Sequence, residues 1–322
     1  MKKTLLLLAI CGFCGAALAQ SSVTLYGIAD AGIGKAKVDG DTKTHLLSGS
    51  TMNNLVSRLG VRGSEDLGGG LKAGFTFETG LSLHDGSTMT SGNGGGFWGR
   101  QADLWLGGGW GTLRLGRGYS PADSATWTWD LTGLSNYNVV ENMFLDVGTD
   151  YRNSSQISYK TPNVKGWSAQ IAHVLRADHH NRSGTPDGRG KWDLNVIYAQ
   201  GPIGVALDMN RLSGQSTNYA LGGKYDFGAW AIAASFVNAR TLEYGDGSFG
   251  QRRGFTLGAQ VRSGAFSATL DLGRDLKNSA GRKYTNALLE GRYTLSKRTM
   301  AYAAVLRIDG GTSYGLGMQH RF

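Results

Sequence analysis

The sequence predicts an all-β protein, a transmembrane antiparallel β-barrel of 16 strands. Apolar and polar side chains alternate along short segments, as they do in strands whose two faces meet different surroundings. Short turns alternate with longer polar connections, and 51 glycines accompany only 4 prolines. After residue 19 no apolar run approaches the roughly 20 residues that a membrane-spanning helix needs. Strands that are apolar outward and polar inward explain these observations together.

The first 19 residues have the parts of a secretory signal peptide. Lys2 and Lys3 supply the positive charge, residues 5–10 open the apolar part, and residues 17–19 (Ala-Leu-Ala) form a small-x-small cleavage site. We expect residues 1–19 to be cleaved and residues 20–322 to form a single barrel domain. Both cysteines lie within this segment, and because neither follows a small residue, a lipoprotein signal is disfavoured. The mature chain would have no disulfide and no thiol.

The remaining sequence divides into one first strand, seven hairpins and one closing strand. Each hairpin joins two alternating segments across a short turn, where glycines readily adopt positive φ. The first predicted strand is 23–33 and the closing strand is 314–322. The hairpin strands are 55–64 with 71–80, 100–106 with 112–117, 157–160 with 167–174, 192–199 with 203–211, 219–226 with 229–238, 255–262 with 265–274, and 286–294 with 299–307.

The alternation is regular within these strands. From residue 203 to residue 210 the odd positions hold Ile, Val, Leu and Met, whereas the even positions hold Gly, Ala, Asp and Asn. Trp110, Phe227, Trp230 and Tyr293 fall beside short turns, where an aromatic belt would meet lipid headgroups, although ordinary strand packing would also explain them. An exported soluble β-sandwich or lectin is the alternative fold. It has no reason to keep short turns and long loops in alternation through seven hairpins.

The last nine residues form an amphipathic strand. One face carries five side chains that are mostly apolar, and the positions between them carry glycine, glutamine or arginine. An end on an exposed phenylalanine would be unusual for a soluble domain, whose termini usually fray at the surface. We expect the strand to close the barrel and to turn this face to lipid. The five residues are Tyr314, Leu316, Met318, His320 and Phe322.

Several segments resemble one family. They are residues 22–32 (SVTLYGIADAG), 57–73 (SRLGVRGSEDLGGGLKA), 101–106 (QADLWL), 111–117 (GTLRLGR) and the final His-Arg-Phe. Together they resemble the general diffusion porins of Gram-negative bacteria, in particular the trimeric beta-proteobacterial type. The resemblance covers essentially the whole mature chain.

The resemblance implies a homotrimer in the outer membrane. Its channel would be filled with water and would allow passive diffusion of ions and small hydrophilic solutes. It also implies that the terminal strand is recognised by the barrel-assembly machinery. The alternative function is that of an exported soluble carbohydrate-binding or adhesin-like β protein.

One connection, about residues 118–150, is far longer than ordinary loops and shows no sustained alternation, so it is either functional or disordered. Its aromatic residues argue against disorder. By resemblance it is the third extracellular loop, which folds into the lumen and narrows the pore. Its acidic residues, expected at the constriction, are Asp123, Asp130, Glu141, Asp146 and Asp150.

Basic residues are expected to face this loop. By resemblance, Arg58, Arg100 and Arg152 match positions where arginines converge at the constriction. The assignment of Arg62, Arg114 and Arg117 is weaker, because the last two have opposite parity on one strand. An arginine facing lipid at the midplane would cost about 2–4 kcal/mol, which favours the lumen for all six. A basic wall opposite an acidic loop would favour small anions.

Other functions have little support in the sequence. His173, His179 and His180 could suggest a metal site, but the last two are adjacent in a polar loop, so we expect no metal and no cofactor. No Gly-x-Ser-x-Gly elbow follows a predicted strand and opens a helix. We therefore expect that the protein is not an enzyme. The net charge of +9 is spread along the chain, and a signal peptide directs the protein away from nucleic acid.

Overall fold

The computed structural model describes residues 22–89, 96–177, 179–180, 187–244 and 246–322. The signal peptide predicted for residues 1–19 lies outside the described residues.

Sixteen long antiparallel strands form one closed sheet. Two helices, α1 (Pro121–Trp129) and α2 (Val139–Gly148), lie in the connection between the fifth and sixth strands. Two short strands, His45–Leu47 and Thr88–Met89, lie in other connections. The long strands are β1 Ser22–Lys35, β2 Arg58–Gly68, β3 Leu71–Leu81, β4 Gln101–Gly108, β5 Gly111–Tyr119, β6 Arg152–Lys160, β7 Trp167–Val174, β8 Lys191–Gln200, β9 Ile203–Leu212, β10 Asn218–Asp226, β11 Trp230–Glu243, β12 Phe249–Ser263, β13 Phe266–Asn278, β14 Thr285–Thr294, β15 Thr299–Ile308 and β16 Gly311–Arg321.

The barrel closes between its first and last strands. The second half of β1 pairs with β16, from Ile28 opposite Arg321 to Lys35 opposite Tyr314. The first half pairs with β2, from Ser22 opposite Ser64 to Ile28 opposite Arg58. The backbones of Gly27 and Phe322 exchange two hydrogen bonds of 3.1 Å each. The predicted 16-stranded antiparallel barrel and its closing strand are therefore confirmed.

Several strands are longer than predicted at the end that carries the long loops. The strands predicted at 229–238 and 255–262 extend to Trp230–Glu243 and Phe249–Ser263. Polar side chains occupy both faces of these extensions, as at Arg252 and Arg253, so the alternation that marks a strand in the sequence stops before the backbone pairing does.

The two faces of the barrel wall differ in polarity. On β9 the outward side chains of Ile203, Val205 and Leu207 are exposed, whereas Asp208 and Asn210 are buried inside. Where the short turns lie, the rings of Phe227 and Trp230 stack with their centroids 3.7 Å apart and are exposed on the outside. Such an apolar band with aromatic rings at its edge is typical of barrels that span a membrane. No helix in the described part of the chain is long and apolar enough to cross one.

Candidate functional site

The long connection between β5 and β6 contains two capped helices. Ser120 caps α1 by accepting a hydrogen bond from the Asp123 amide at 3.2 Å, and Pro121 occupies the first turn. Asn138 caps α2 by accepting from the Glu141 amide at 2.7 Å, and its own side-chain amide donates to the Glu141 carboxylate at 2.9 Å. The sequence reading missed both helices. The Ser-Pro-Ala-Asp and Asn-Val-Val-Glu capping patterns are the signals that could have found them.

Side chains on the polar inner face of distant strands hold this segment. Asn195 on β8 donates to the Pro121 carbonyl at 2.7 Å, and Gln260 on β12 donates to the Leu131 carbonyl at 2.8 Å. Tyr137 donates to Glu290 on β14 at 2.6 Å. The segment therefore contacts the polar faces of strands that lie far apart around the barrel.

Apolar side chains of the same segment pack where the inner face carries glycines. Trp129 lies against Gly222 on β10, and Met143 lies against Gly273 on β13. A Cβ atom at either glycine would collide with these side chains. Trp129, Met143 and Phe144 are almost completely buried. These glycines thus leave room for the segment, which burial of apolar surface then stabilises.

Three predicted arginines meet at one cavity of about 320 Å³. Arg58 comes from the start of β2, Arg100 directly precedes β4 and Arg152 begins β6. Across the cavity lie Asp123 of α1 and Glu141 of α2. The barrel wall supplies the basic side of this passage, and the long connection supplies the acidic side.

Glu78 on β3, which the sequence reading missed, orients two of these arginines. Its carboxylate accepts from Arg100 Nε at 2.7 Å and lies 3.7 Å from Arg58 Nε. The hydroxyl of Tyr26 donates to the same carboxylate at 3.1 Å. Glu78 neutralises one of the positive charges, so the basic wall keeps an excess of positive charge.

Arg152 has a different environment. Its guanidinium carbon lies 4.5 Å from the ring centre of Tyr119 and 4.6 Å from that of Tyr151. Its Nη2 atom donates to the Tyr119 hydroxyl at 3.1 Å, and Arg100 donates to the same hydroxyl at 3.3 Å. Its Nε and Nη1 atoms are buried without a hydrogen-bond partner within the described residues. Aromatic faces thus position this cation.

The other three arginines do not border this cavity. Arg62 lies on the same face of β2 as Arg58 and covers the ring of Tyr26 at 5.2 Å. Arg114 faces a separate inner cavity of about 240 Å³ and forms an ion pair with Asp103.

Arg117 is held by neighbours of its own. Its guanidinium donates to the Gly99 carbonyl and to the Ser154 hydroxyl, both at 2.5 Å. The pairing of β5 with β6 shifts register between Gly116 and Gly118. The extra residue lies on β6, between Asn153 and Gln156, whereas on β5 Gly116 has a positive φ of 124°. Arg114 and Tyr119 both border inner cavities despite their opposite parity.

Of the remaining predicted acids, Asp130 and Asp146 form hydrogen bonds within the long connection itself, and Asp150 lines a separate cavity. Asp130 accepts from the Thr132 amide at 2.8 Å and the Leu134 amide at 2.7 Å, which closes the turn after α1. Asp146 is buried beside the Ser120 and Thr126 hydroxyls. Burial raises the pKa of the Asp146 carboxyl well above its usual range, and the neighbouring Asp123 carboxylate adds to the shift. Asp150 borders a small cavity that Lys191 also lines.

The predicted outward face of the last strand is exposed. Relative exposures are 44% for Tyr314, 64% for Leu316 and 56% for Met318, and His320 and Phe322 are also exposed. These values for apolar side chains fit a surface that lipid covers.

The closed barrel, its apolar exterior and the charged passage inside define a channel-forming outer-membrane protein. A family model described as Gram-negative porin matches residues 6–313. The chain therefore belongs to the Gram-negative porin family, whose members are channels. This assignment replaces the alternative of a soluble carbohydrate-binding or adhesin-like protein.

Individual relatives agree with this assignment. The chain is 32% identical to outer membrane porin protein 32 of Delftia acidovorans, over 99% of this chain and 93% of that one. It is 31% identical to an outer membrane porin protein of Bordetella pertussis, over 100% of both chains. Among solved structures, an anion-selective porin from Comamonas acidovorans is similar with a TM-score of 0.74 and 24% identity, covering 94% of this chain and 100% of that one.

Proposed function

We propose that this porin is an anion-preferring channel for passive diffusion of ions and small hydrophilic solutes. The connection of about residues 118–150 lies in the lumen and narrows the passage to the cavity between Arg58, Arg100, Arg152 and the acids Asp123 and Glu141. The observation that carries the proposal is the meeting of three guanidinium groups from separate strands, with one wall carboxylate, Glu78, between two of them. A few charges at a narrow point act on a passing ion with little screening by water, so the excess positive charge favours anions.

Recording from single channels in planar bilayers tests this proposal. We expect discrete conductance steps. In a potassium chloride gradient, we expect a reversal potential with the same sign as the equilibrium potential of chloride. The preference should weaken as salt rises, because the Debye length falls from about 10 Å at 0.1 M to about 3 Å at 1 M. A reversal potential on the potassium side at low salt would contradict the proposal.

Asp123 should make this preference depend on pH. Burial raises the pKa of Asp123 to about 7, although the Arg152 and Arg100 guanidinium groups act in the opposite direction. Asp123, together with the neighbouring Asp146 carboxyl, therefore takes up a proton as the pH falls from about 8 to about 6, whereas arginine side chains in general keep their charge. We expect the anion preference to rise over this range in the native channel. In the Asp123→Asn channel it should stay constant, and an equal pH response in both channels would reject the assignment.

The family resemblance supplies the remaining proposals. We assign the mature chain to residues 20–322, which the intact mass of the protein isolated from outer membranes would test. A homotrimer surrounded by outer-membrane lipid is expected, and light scattering in detergent would measure its mass.

The terminal strand is proposed to bind the barrel-assembly machinery. Its residues Tyr314, Leu316, Met318, His320 and Phe322 share the exposed outward face. Deleting Phe322 should reduce the yield in the outer membrane more than it reduces the stability of barrels refolded in detergent. Equal yields of the deleted and native chains would argue against this role.

A further inference from the structure

Three cations lie side by side on the outside of the barrel, at the end that carries the long loops. Arg240 is on β11, Arg253 on β12 and Lys277 on β13, and all three are exposed. Arg253 lies directly opposite Lys277 on one neighbour and opposite Asn238 on the other. They border a cavity of about 360 Å³ that Asn238, Gln251 and Arg252 also line. We call Arg240, Arg253 and Lys277 the outer basic cluster.

The strand pattern shows that this cluster faces outward. Arg253 has the same parity as the exposed Phe255 and Leu257, and Asn238 has the same parity as Phe236, which lies opposite Phe255. The adjacent Arg252 is buried and forms ion pairs with Asp275 at 2.7 Å and Asp309 at 2.6 Å. Successive side chains of a strand point to opposite faces, so Arg253 points away from this internal network.

The cluster lies at one edge of the apolar band. From Val261 to Arg253 the outward positions of β12 are apolar until the arginine. Eight residues at about 3.3 Å each, tilted by about 40°, rise about 20 Å, which is close to the height of the apolar band of such barrels. The opposite edge of the same wall carries the exposed rings of Trp230, Phe266 and Tyr293. The two edges thus differ, with aromatic rings at the short turns and cations at the long loops.

The cluster has no acidic counterpart in the part of the chain that the structure describes. There, no ion pair joins Arg240, Arg253 or Lys277 to a carboxylate, in contrast to the bound Arg252. Arg274, which lies opposite Phe255 and thus closer to the middle of the apolar band, also faces outward. It donates a hydrogen bond to the Thr285 hydroxyl at 2.8 Å. Uncompensated cations directly above an apolar wall match a ligand with a negative headgroup and hydrocarbon chains.

We propose that the outer basic cluster binds the phosphate groups of a phosphorylated glycolipid in the outer leaflet of the outer membrane. Short turns of bacterial barrels lie in the periplasm and long loops outside, so the cluster lies at the level of the outer headgroups. An arginine guanidinium group can donate two parallel hydrogen bonds to two oxygens of one phosphate, and a lysine ammonium group adds a compact positive charge. The exposed Phe255, Leu257 and Leu272 below would contact the acyl chains.

Native mass spectrometry of the full barrel in detergent tests this proposal, with bis-phosphorylated lipid A as the probe. Dephosphorylated lipid A and inorganic phosphate are the comparison ligands. The test variant is R240S/R253S/K277S. The matched control is K72S/K297S/R298S, which removes the same charge from exposed positions at the short-turn end. Because both sets are exposed, neither variant disturbs the barrel interior.

We expect the test variant to bind lipid A at least about tenfold more weakly than the native chain, and the control to bind it normally. Dephosphorylated lipid A should bind the native chain as weakly as lipid A binds the test variant. Equal binding of lipid A by the native chain and the test variant would overturn the proposal. So would an equal loss in the control, or inorganic phosphate that displaces the lipid at equal concentration. Ion selectivity, measured separately, should be unchanged in the test variant whichever way lipid binding turns out.

Discussion

Replacing Arg58, Arg100 and Arg152 together with serine should reverse the ion preference of the channel. The substitutions remove three of the four positive charges that border the cavity and leave Arg321, while Glu78, Asp123 and Glu141 stay in place. At a pH well above 7, where Asp123 stays ionised although the loss of Arg100 and Arg152 raises its pKa further, the passage then carries an excess of negative charge. In a potassium chloride gradient we expect the reversal potential to move from the chloride side to the potassium side of zero, most strongly at low salt. Conductance should rise as well, because three long side chains leave the passage.

The R240S/R253S/K277S variant is the matched control for this experiment. It removes the same number of charges, but from the outer surface of the barrel. Such charges are screened over about 8 Å at physiological salt and should leave the reversal potential nearly unchanged. If this control shifts selectivity as much as the arginine variant, the basic residues act as a diffuse attractor and the proposed constriction is wrong.

Arg152→Ser alone gives a second test, which leaves the ion pairs of Glu78 intact. Removing Arg58 and Arg100 leaves Glu78 with only the Tyr26 hydroxyl of the partners described above, so the triple variant also disturbs a buried carboxylate. Arg152 contacts aromatic rings and a hydroxyl and forms no ion pair within the described residues, so its loss breaks no salt bridge, although it lets the pKa of Asp123 rise. We expect a partial shift of the reversal potential toward potassium and a lower melting temperature, because a buried side chain that packs against two rings is lost. An unchanged reversal potential would place Arg152 outside the ion path.

The strands could be predicted from the sequence because each strand has one face toward lipid and one face toward water. Lipid outside and water inside impose a two-residue period, which identified all 16 strands and placed Arg58 and Arg62 on one face. The method fails where these environments end. Near the long loops both faces are polar, so the extra length of β11 and β12 leaves no pattern. On β5 the positive φ of Gly116, 124°, departs from extended backbone just before Arg117, so parity could not place that arginine.

The contacts of the site were harder to predict, because they join residues that are distant in sequence. Nothing near Glu78 reveals that Arg100 and Arg58 will lie beside its carboxylate, since only the pairing of β3 with β2 on one side and with β4 on the other brings them together. The acids of the long connection look alike in sequence. Asp123 borders the cavity, whereas Asp146 is buried against two hydroxyls, and the turns of the backbone alone decide which is which.

Removing most of the long connection should enlarge the conductance at least about twofold. Sixteen strands spaced about 4.8 Å apart and tilted by about 40° enclose a backbone cylinder about 30 Å wide, which side chains narrow to about 20 Å. In the proposed arrangement the connection puts two helices, each about 10 Å across, against the inner face of this cylinder. Its two ends meet, because the Ser120 amide donates to the Tyr151 carbonyl at 3.0 Å. A Gly-Ser-Gly link can therefore replace residues 122–149 without strain on β5 or β6.

Single-channel conductance at 1 M potassium chloride measures the size of this effect. The reversal potential at 0.1 M measures the ion selectivity of the shortened channel. In the shortened channel anions should lose most of their advantage, because ions can pass more than a Debye length, about 10 Å, from Arg152. The control is deletion of residues 280–283, an exposed connection between β13 and β14 at the same end of the barrel. It should change conductance little. If the deletion of 122–149 leaves conductance at the native value while the barrel stays folded in detergent, the connection does not cross the ion path and the proposed constriction is wrong.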